Sequence, residues 1–321
     1  MVGRPERLRI VYFGTPEFAV PTLRALLDPS SGHDVVAVVS QPDRPKGRGH
    51  HLAPTPTKEV AVAHSVPVLQ PDRLKDETFL SQIAALTPHL GVVAAYGKIL
   101  PEALLQIPIF GMVNVHASLL PRWRGAAPVH RAVIAGDQET GVTIMRVVKA
   151  LDAGATFKMA GRAIGPDETS VEVEHDLAEM GARLLLEVLA DIAAGRAVET
   201  PQDESAVTYA DKITKAEGAV VWTLSAERIH NLVRGLQPWP LVSCRIAGIR
   251  VLLHRTALTS AVSPDPPGTI VRADADRFEV VAGDGRVLRL VALQPEGRRA
   301  MSSREFLAGR HVLPGTRVEQ A

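Results

Sequence analysis

A single cysteine, Cys244, stands in the whole sequence. That excludes an intrachain disulfide and any zinc site built on a cysteine cluster, so no metal is expected. A reducing cytoplasm is the expected compartment. Long apolar runs are missing too. Stretches such as LGVVAAYG, residues 90–97, are far too short to span a bilayer. The charged start, MVGRPERLRI, has no signal-peptide apolar core, so no membrane association is expected. The first loop, FGTPEFA, supplies only Gly14. A dinucleotide fingerprint needs several glycines there to admit a pyrophosphate, which argues against a nicotinamide or flavin dehydrogenase. No P-loop pattern, internal repeat or low-complexity tract occurs.

Charge is nearly balanced overall, at +1, but unevenly placed. Residues 1–208 carry 20 Lys and Arg against 24 Asp and Glu, whereas residues 209–321 carry 16 against 11. The basic last third suits a polyanionic partner, and equally a merely soluble surface.

Alternating strand and helix signals fill the first two thirds. Leu8–Phe13 reads as a buried strand, followed by a turn at Gly14-Thr15 and a helix with Thr15 as N-cap, Pro16 in first position and Glu17 facing the dipole. HDVVAVVSQPDRP, PHLGVVAAYGKILP, GMVNVHAS and TGVTIMRVV read as further strands, with helices such as PVHRAVIAG between them. This alternation predicts an α/β fold with a parallel sheet covered on both faces. A long helix ends near Gly195, and RAVETPQDESAVTYADK reads as a polar linker. Beyond it, five or so short strands with glycine-containing turns, among them a hairpin at Asp284-Gly285, predict a small β-barrel or sandwich. Ser302 and Glu305 have capping-box spacing for a final short helix. The expected domains are 1–208, linker included, and 209–321.

In an open parallel sheet, ligands gather beyond the carboxyl ends of the strands. The run Val113-Asn114-Val115-His116 alternates with period two, placing Asn114 and His116 together on one face at such an end. Asp152, in the Asp-Ala-Gly turn after the next strand, is expected at a strand end nearby. An amide, an imidazole and a carboxylate in one cleft suit acyl-type transfer to an amine. The first two can donate to an oxygen that becomes negative, while the carboxylate orients the imidazole and helps remove a proton. Taken singly, an Asn or His at a strand end is commonly a satisfied loop contact, and an Asp in such a turn a turn former. The residues alone therefore leave the function open.

The longer run NVHASLLPRWRGAAP resembles the Asn-x-His-x-Ser-Leu-Leu-Pro signature of the folate-dependent formyltransferase family. LDAG, with Asp152 thirty-six positions after His116, is similar to that family's second motif. The resemblance extends through VYFGTPEFAVP, QPDRPKGRG, VVAAYGKILP, YADKI, QPWP and LQPEGRRAMSSREFLAG, and so covers most of the chain. It implies a Rossmann-like parallel-sheet catalytic domain followed by an OB-like barrel. It also implies 10-formyltetrahydrofolate as formyl donor and, in the branch it most resembles, the amine of methionyl initiator tRNA as acceptor. Asn114, His116 and Asp152 are then the catalytic trio. Ser118, Leu119, Leu120 and Pro121 match the segment lining the folate site, Gly125 lets the backbone pass close to the ligand, and the loop around Val93 and Tyr96 borders the pterin.

In family members acting on tRNA, a basic insertion after the second strand approaches the acceptor stem. Here residues 42–58 read PDRPKGRGHHLAPTPTK, a loop with four prolines in which Arg44, Lys46, Arg48 and Lys58 are candidate phosphate contacts. Lys212, Arg234, Arg298, Arg299 and Arg304 are candidates in the barrel domain. QPWP is expected to be a packing or interdomain corner rather than a binding aromatic, and the protein a monomer. A sugar formyltransferase would share the catalytic domain but not the basic insertion. A formyltetrahydrofolate hydrolase, or a non-catalytic RNA-binding protein on the same scaffold, fits less well. The chain departs from the family pattern at Val148-Lys149-Ala150, at His89 and at Leu241, none of which belongs to the trio.

Overall fold

The computed structural model describes residues 7–46 and 51–320, without the side chains of Lys46 and His51. They form two compact units, Met1–Pro128 with Thr140–Arg162 and Glu174–Ala210, and Val129–Glu139 with Ala163–Val173 and Asp211–Ala321. The sequence placed one cut after residue 208. The last crossing falls after Ala210, and the chain also passes between units after Pro128, Glu139, Arg162 and Val173.

The first unit is built on a seven-stranded sheet in the order Thr156–Ala163, Glu139–Arg146, Met112–His116, Leu90–Ala94, Arg9–Gly14, Asp34–Val39, Val68–Leu69. The last five run parallel. Their apolar runs are what burial on both faces demands, and Val11, Phe13, Val39, Val93 and Met112 share one core with Ile83 and Leu104. From Arg9–Gly14 the chain builds outward on one side, then returns to place Leu90–Ala94 on the other. This reversal opens a crevice at the carboxyl ends, where Gly14 lies opposite Ala94.

Thr15 does not cap the first helix, which spans Ala19–Leu27 after a turn. Its hydroxyl donates to the Tyr96 carbonyl (3.2 Å) and accepts from the Gln41 N–H (3.3 Å). A hydroxyl at a strand end found partners across the sheet rather than in its own turn. The expected loop at 42–58 is also more regular than expected, since Arg44–Lys46 pairs antiparallel with His51–Ala53. The long helix is Ser170–Ala194, stopped by Gly195 at φ +74°. The stretch read as a linker is built into the first unit, because Thr200 bridges Thr156 and Tyr209–Ala210 pairs with Arg124–Gly125. No helix among the described residues is long and apolar enough to cross a membrane.

The second unit carries an antiparallel sheet in the order Ile270–Asp274, Arg277–Val281, Arg286–Pro295, Ile249–Val262, Val242–Ile246, Glu319–Gln320. Ile249–Val262 is one strand of 14 residues whose register shifts let it bend. The C-terminal segment reaches both ends of the sheet, bridging Thr269 through Arg317 and pairing with Cys244 and Arg245, which curls it toward a barrel. The turn after Ala282 has Gly285 at φ +76°, and both bonds of the Ser302–Glu305 capping box are formed. Cys244 is buried, and burial pushes its thiol up to about 12.

Candidate active site

Met112–His116 carries the first two groups. It lies between Leu90–Ala94, with Val93 opposite Asn114, and Glu139–Arg146, with Thr143 opposite His116. The alternation works as the spacing requires: Val113 and Val115 are buried, and Asn114 is partly open. A Cβ on Gly181 would sit 2.6 Å from Val115 Cγ1, so the long helix presses directly against this strand. Among the described residues the Asn114 amide has no hydrogen-bond partner. His116 is 5% exposed.

Asp152 arrives differently from the expectation. Because Glu139–Arg146 runs antiparallel to Met112–His116, its end at Arg146 lies opposite Val113, not His116. The chain then folds back. Asp152 takes the left-handed conformation (φ +46°), and its Oδ2 ends 3.7 Å from His116 Nδ1. Gly154 is obligatory in this turn, since a Cβ there would lie 1.9 Å from the Arg146 carbonyl oxygen.

Two acceptors face the imidazole. Nε2 is 2.9 Å from the Trp123 carbonyl, which can only accept, so Nε2 carries a hydrogen. Nδ1 faces the Asp152 carboxylate across a gap too long for a direct hydrogen bond. One nitrogen or oxygen atom at about 2.8 Å from each side would bridge it. Asp152 Oδ2 also accepts the Gly125 N–H at 2.8 Å. A free amide, an imidazole held by a carbonyl, and a carboxylate one atom away can polarise a carbonyl oxygen and take a proton from an attacking amine.

The sequence profile for formyl transferase matches residues 8–189, and that for the formyl transferase C-terminal domain matches residues 212–311. The chain belongs to the formyl transferase family. It is 46% identical over 311 residues to the methionyl-tRNA formyltransferase of Methylococcus capsulatus, covering 97% of this chain and 99% of that one. It is 44% identical over 308 residues to the methionyl-tRNA formyltransferase of Moorella thermoacetica, covering 96% and 98%. In fold it is similar to an N-formyltransferase from Helicobacter canadensis solved with folinic acid and dTDP-3-aminofucose (TM-score 0.64, 14% identity, 90% of this chain and 99% of that one). It is also similar to HypX from Aquifex aeolicus solved with tetrahydrofolic acid (TM-score 0.64, 15% identity, 94% of this chain), of which it spans 47% of the length.

Several residues expected at the folate site of this formyl transferase have other engagements. Ser118 is fully buried and donates to the Arg122 carbonyl (2.6 Å), while Thr143 fixes the corner by donating to the Ser118 carbonyl and accepting from the Leu120 N–H. Leu120 is buried, whereas Leu119 and Pro121 are partly open. The Gly125 backbone, at φ +122°, approaches Ala210: a Cβ there would lie 2.9 Å from the Ala210 carbonyl oxygen. The Tyr96 ring packs edge-on to Phe13 in the core. Its hydroxyl has no partner among the described residues, and burial pushes it up to about 12. A flat heterocycle with polar edges needs apolar walls beside unpaired donors. The unpaired Asn114 amide beside Val93 fits such a ligand, whereas the Tyr96 hydroxyl is sealed inside the core.

The basic candidates divide. Arg44 is exposed, 3.3 Å from Gln41 Oε1. The side chain of Lys46 and all of Arg48 lie outside the described residues. Lys58 is held by Asp43 (2.6 Å) and Gln70 (2.8 Å) at the base of the hairpin. Lys212, Arg298, Arg299 and Arg304 are exposed, with Arg299 paired to Glu305. Arg234 is not available to a nucleic acid. It is 6% exposed, and donates to Asn231 and to the Gly165 and Glu168 carbonyls, which a loop of its own unit turns toward it. QPWP is not simply a packing corner, since Trp239 is 54% exposed. Among the described residues no group of acidic, histidine or cysteine side chains could hold a metal ion. Sequence reasoning missed Trp123, which holds a variable position of the signature run, and residues 201–208, which read only as a polar linker.

Proposed function

We propose that this chain transfers the formyl group of 10-formyltetrahydrofolate to the free amine of methionyl initiator tRNA, making N-formylmethionyl-tRNA for translation initiation. The observation that carries the reading is the meeting of Asn114, His116 and Asp152 at one strand end, in a formyl transferase similar to methionyl-tRNA formyltransferases over 97% of its length. When bound, the folate supplies an electrophilic formyl carbon and a leaving nitrogen, N10. Asn114 donates its unpaired amide hydrogen to the formyl oxygen as negative charge grows there. His116 donates to the same oxygen once Nδ1 carries a proton. Asp152 holds the ring and, through a water in the gap, takes the proton the amine loses as the new C–N bond forms. That proton returns to N10 as the old bond breaks, so no net proton is consumed.

Leu119, Leu120, Pro121 and the loop around Val93 and Tyr96 would border the pterin, with Ser118 and Gly125 shaping the corner from behind. Arg44 on the hairpin, with Lys46 and Arg48 of the same basic insertion and with Lys212, Arg298 and Arg299, would contact tRNA phosphates, Lys58 bracing the hairpin's base. The same reading places the enzyme in the cytoplasm as a monomer. The test offers methionyl initiator tRNA and an amino-sugar nucleotide side by side with 10-formyltetrahydrofolate. Formyl-methionine on the tRNA is expected. Transfer to the sugar alone overturns the acceptor, and transfer to neither overturns the reading.

A further inference from the structure

The stretch that reads as a polar linker contains the bond network that holds both halves of the site. The side-chain amide nitrogen of Gln202 donates to two backbone carbonyls of the Asp152 turn, those of Asp152 (2.8 Å) and Gly154 (2.7 Å). Its Oε1 accepts from Arg124 Nε (3.0 Å) and Nη2 (2.9 Å). Arg124 is 3% exposed, and the Glu204 carboxylate takes its other face at 2.7 and 3.2 Å. The backbone of the same arginine loop is pinned in parallel. Trp123 donates to Thr208 Oγ1 and Arg124 to the Thr208 carbonyl, both at 2.9 Å. The next residue, Gly125, gives its N–H to Asp152 Oδ2, and the preceding Trp123 gives its carbonyl to His116.

Besides Gln202, the turn is held at its carboxylate by the Gly125 N–H and at its base by the Arg146 N–H on the Ala155 carbonyl, but its own backbone is loosely closed. Its internal bond, from the Ala153 N–H to the Ala150 carbonyl, is 3.4 Å long, and Asp152 sits in the left-handed conformation, which few residues besides glycine, asparagine and aspartate adopt. Gln202 supplies two donors that match two adjacent carbonyls, and Arg124 fixes which way its amide points.

We propose that Gln202 is a positioning residue: its side-chain amide sets the Asp152 turn, and with it the carboxylate, against His116. This rests on the assignment of Asp152 and His116 to the formyl transfer. Gln202 touches no substrate in this scheme. Its two donors act through Asp152 alone, so the effect of removing them must vanish when the carboxylate is gone.

Gln202→Glu keeps the shape and the acceptor for Arg124 but removes both donors. Gln202→Met keeps the volume and loses all polar contacts. Both should lower kcat by about tenfold or more while leaving KM for the folate and the affinity for tRNA nearly unchanged. In an Asp152→Ala background, adding Gln202→Glu should lower the residual rate less than about twofold. Full kcat in Gln202→Glu, or an undiminished loss in the Asp152→Ala background, would overturn the proposal. A second readout needs no turnover. Exchange of the Gly125 amide hydrogen should accelerate about tenfold or more in Gln202→Glu, with the amides of Arg9–Gly14 unchanged. Equal protection of Gly125 in both proteins would overturn the proposal even if the wild type formylated no tRNA, an outcome that by itself counts only against the function.

Discussion

Nδ1 of His116 and Oδ2 of Asp152 stand 3.7 Å apart, a separation wider than a hydrogen bond and narrow enough for one atom to join them. The gap has a chemical use if the amine nitrogen or a water occupies it. A carboxylate one methylene longer keeps its charge but closes the space. Asp152→Glu should therefore cost about 100-fold in kcat, read in a single-turnover transfer assay. A rate within about threefold of wild type would mean that charge alone matters and the spacing does not.

Gly181 and Val115 make a second prediction. A Cβ at residue 181 would fall 2.6 Å from Val115 Cγ1, and Val115 lies between the two residues, Asn114 and His116, that the site needs fixed. An added methyl gains up to about 1 kcal/mol of helix propensity over glycine and costs about 1–3 kcal/mol by overpacking. Gly181→Ala should thus be mildly destabilising. Gly181→Val, branched and larger, should cost about 2 kcal/mol or more and lower Tm by roughly 4–8 °C. The rate should fall with it, as the strand shifts. A Tm unchanged in Gly181→Val would mean the helix has room to move away.

Glu174 gives a pH dependence. Burial pushes its carboxyl above the ordinary value, which is about 4.3 in an unfolded chain. Between those two values the unfolded chain has released the proton that the native protein still holds, so stability falls as pH rises through this window. Below about pH 4 there is no penalty, and above the raised value the penalty is complete. Glu174→Gln should therefore raise Tm at pH 7, by a few degrees at most (about 2–4 °C per kcal/mol), and leave it unchanged at pH 4. Equal Tm values at both pH settings would mean that ionised Glu174 is solvated.

Arg44 and Arg234 are both arginines proposed from the sequence as basic contacts, yet they should behave oppositely. Arg44 is exposed on the hairpin, so Arg44→Ala should weaken tRNA binding and reduce the slope of log affinity against log salt by about one. Arg234 satisfies the carbonyls of Gly165 and Glu168. Arg234→Ala should leave that slope alone and cost about 2–3 kcal/mol of stability. Binding titrations at several salt concentrations, beside thermal melts, separate the two.

Much of this was legible in the sequence, for definite reasons. Period-two alternation put Asn114 and His116 on one face, and burial on both sides made Leu90–Ala94 an unbroken apolar run. Ser302 and Glu305 had a spacing that only a capping box explains. What stayed hidden depended on direction or on distant partners. Alternation does not reveal which way Glu139–Arg146 runs, so the Asp152 turn was expected to project from a strand end beside His116 and not to fold back toward it. Thr15 had the chemistry of a cap and of a bridge, and only the neighbouring strand ends decided between them. Gln202 lies fifty residues from Asp152 in a polar stretch, where a glutamine that organises two carbonyls cannot be told from a solvated one. Arg234 looked like surface charge because burial of a guanidinium depends on carbonyls contributed by Gly165 and Glu168.

The most direct test is single-turnover transfer from 10-formyltetrahydrofolate to methionyl initiator tRNA by the wild type, Asn114→Ala and His116→Ala, with tRNA affinity measured on the same proteins. The account predicts formyl-methionine from the wild type, a loss of about 100-fold or more in each variant, and unchanged tRNA binding. Transfer at the wild-type rate by His116→Ala would contradict it.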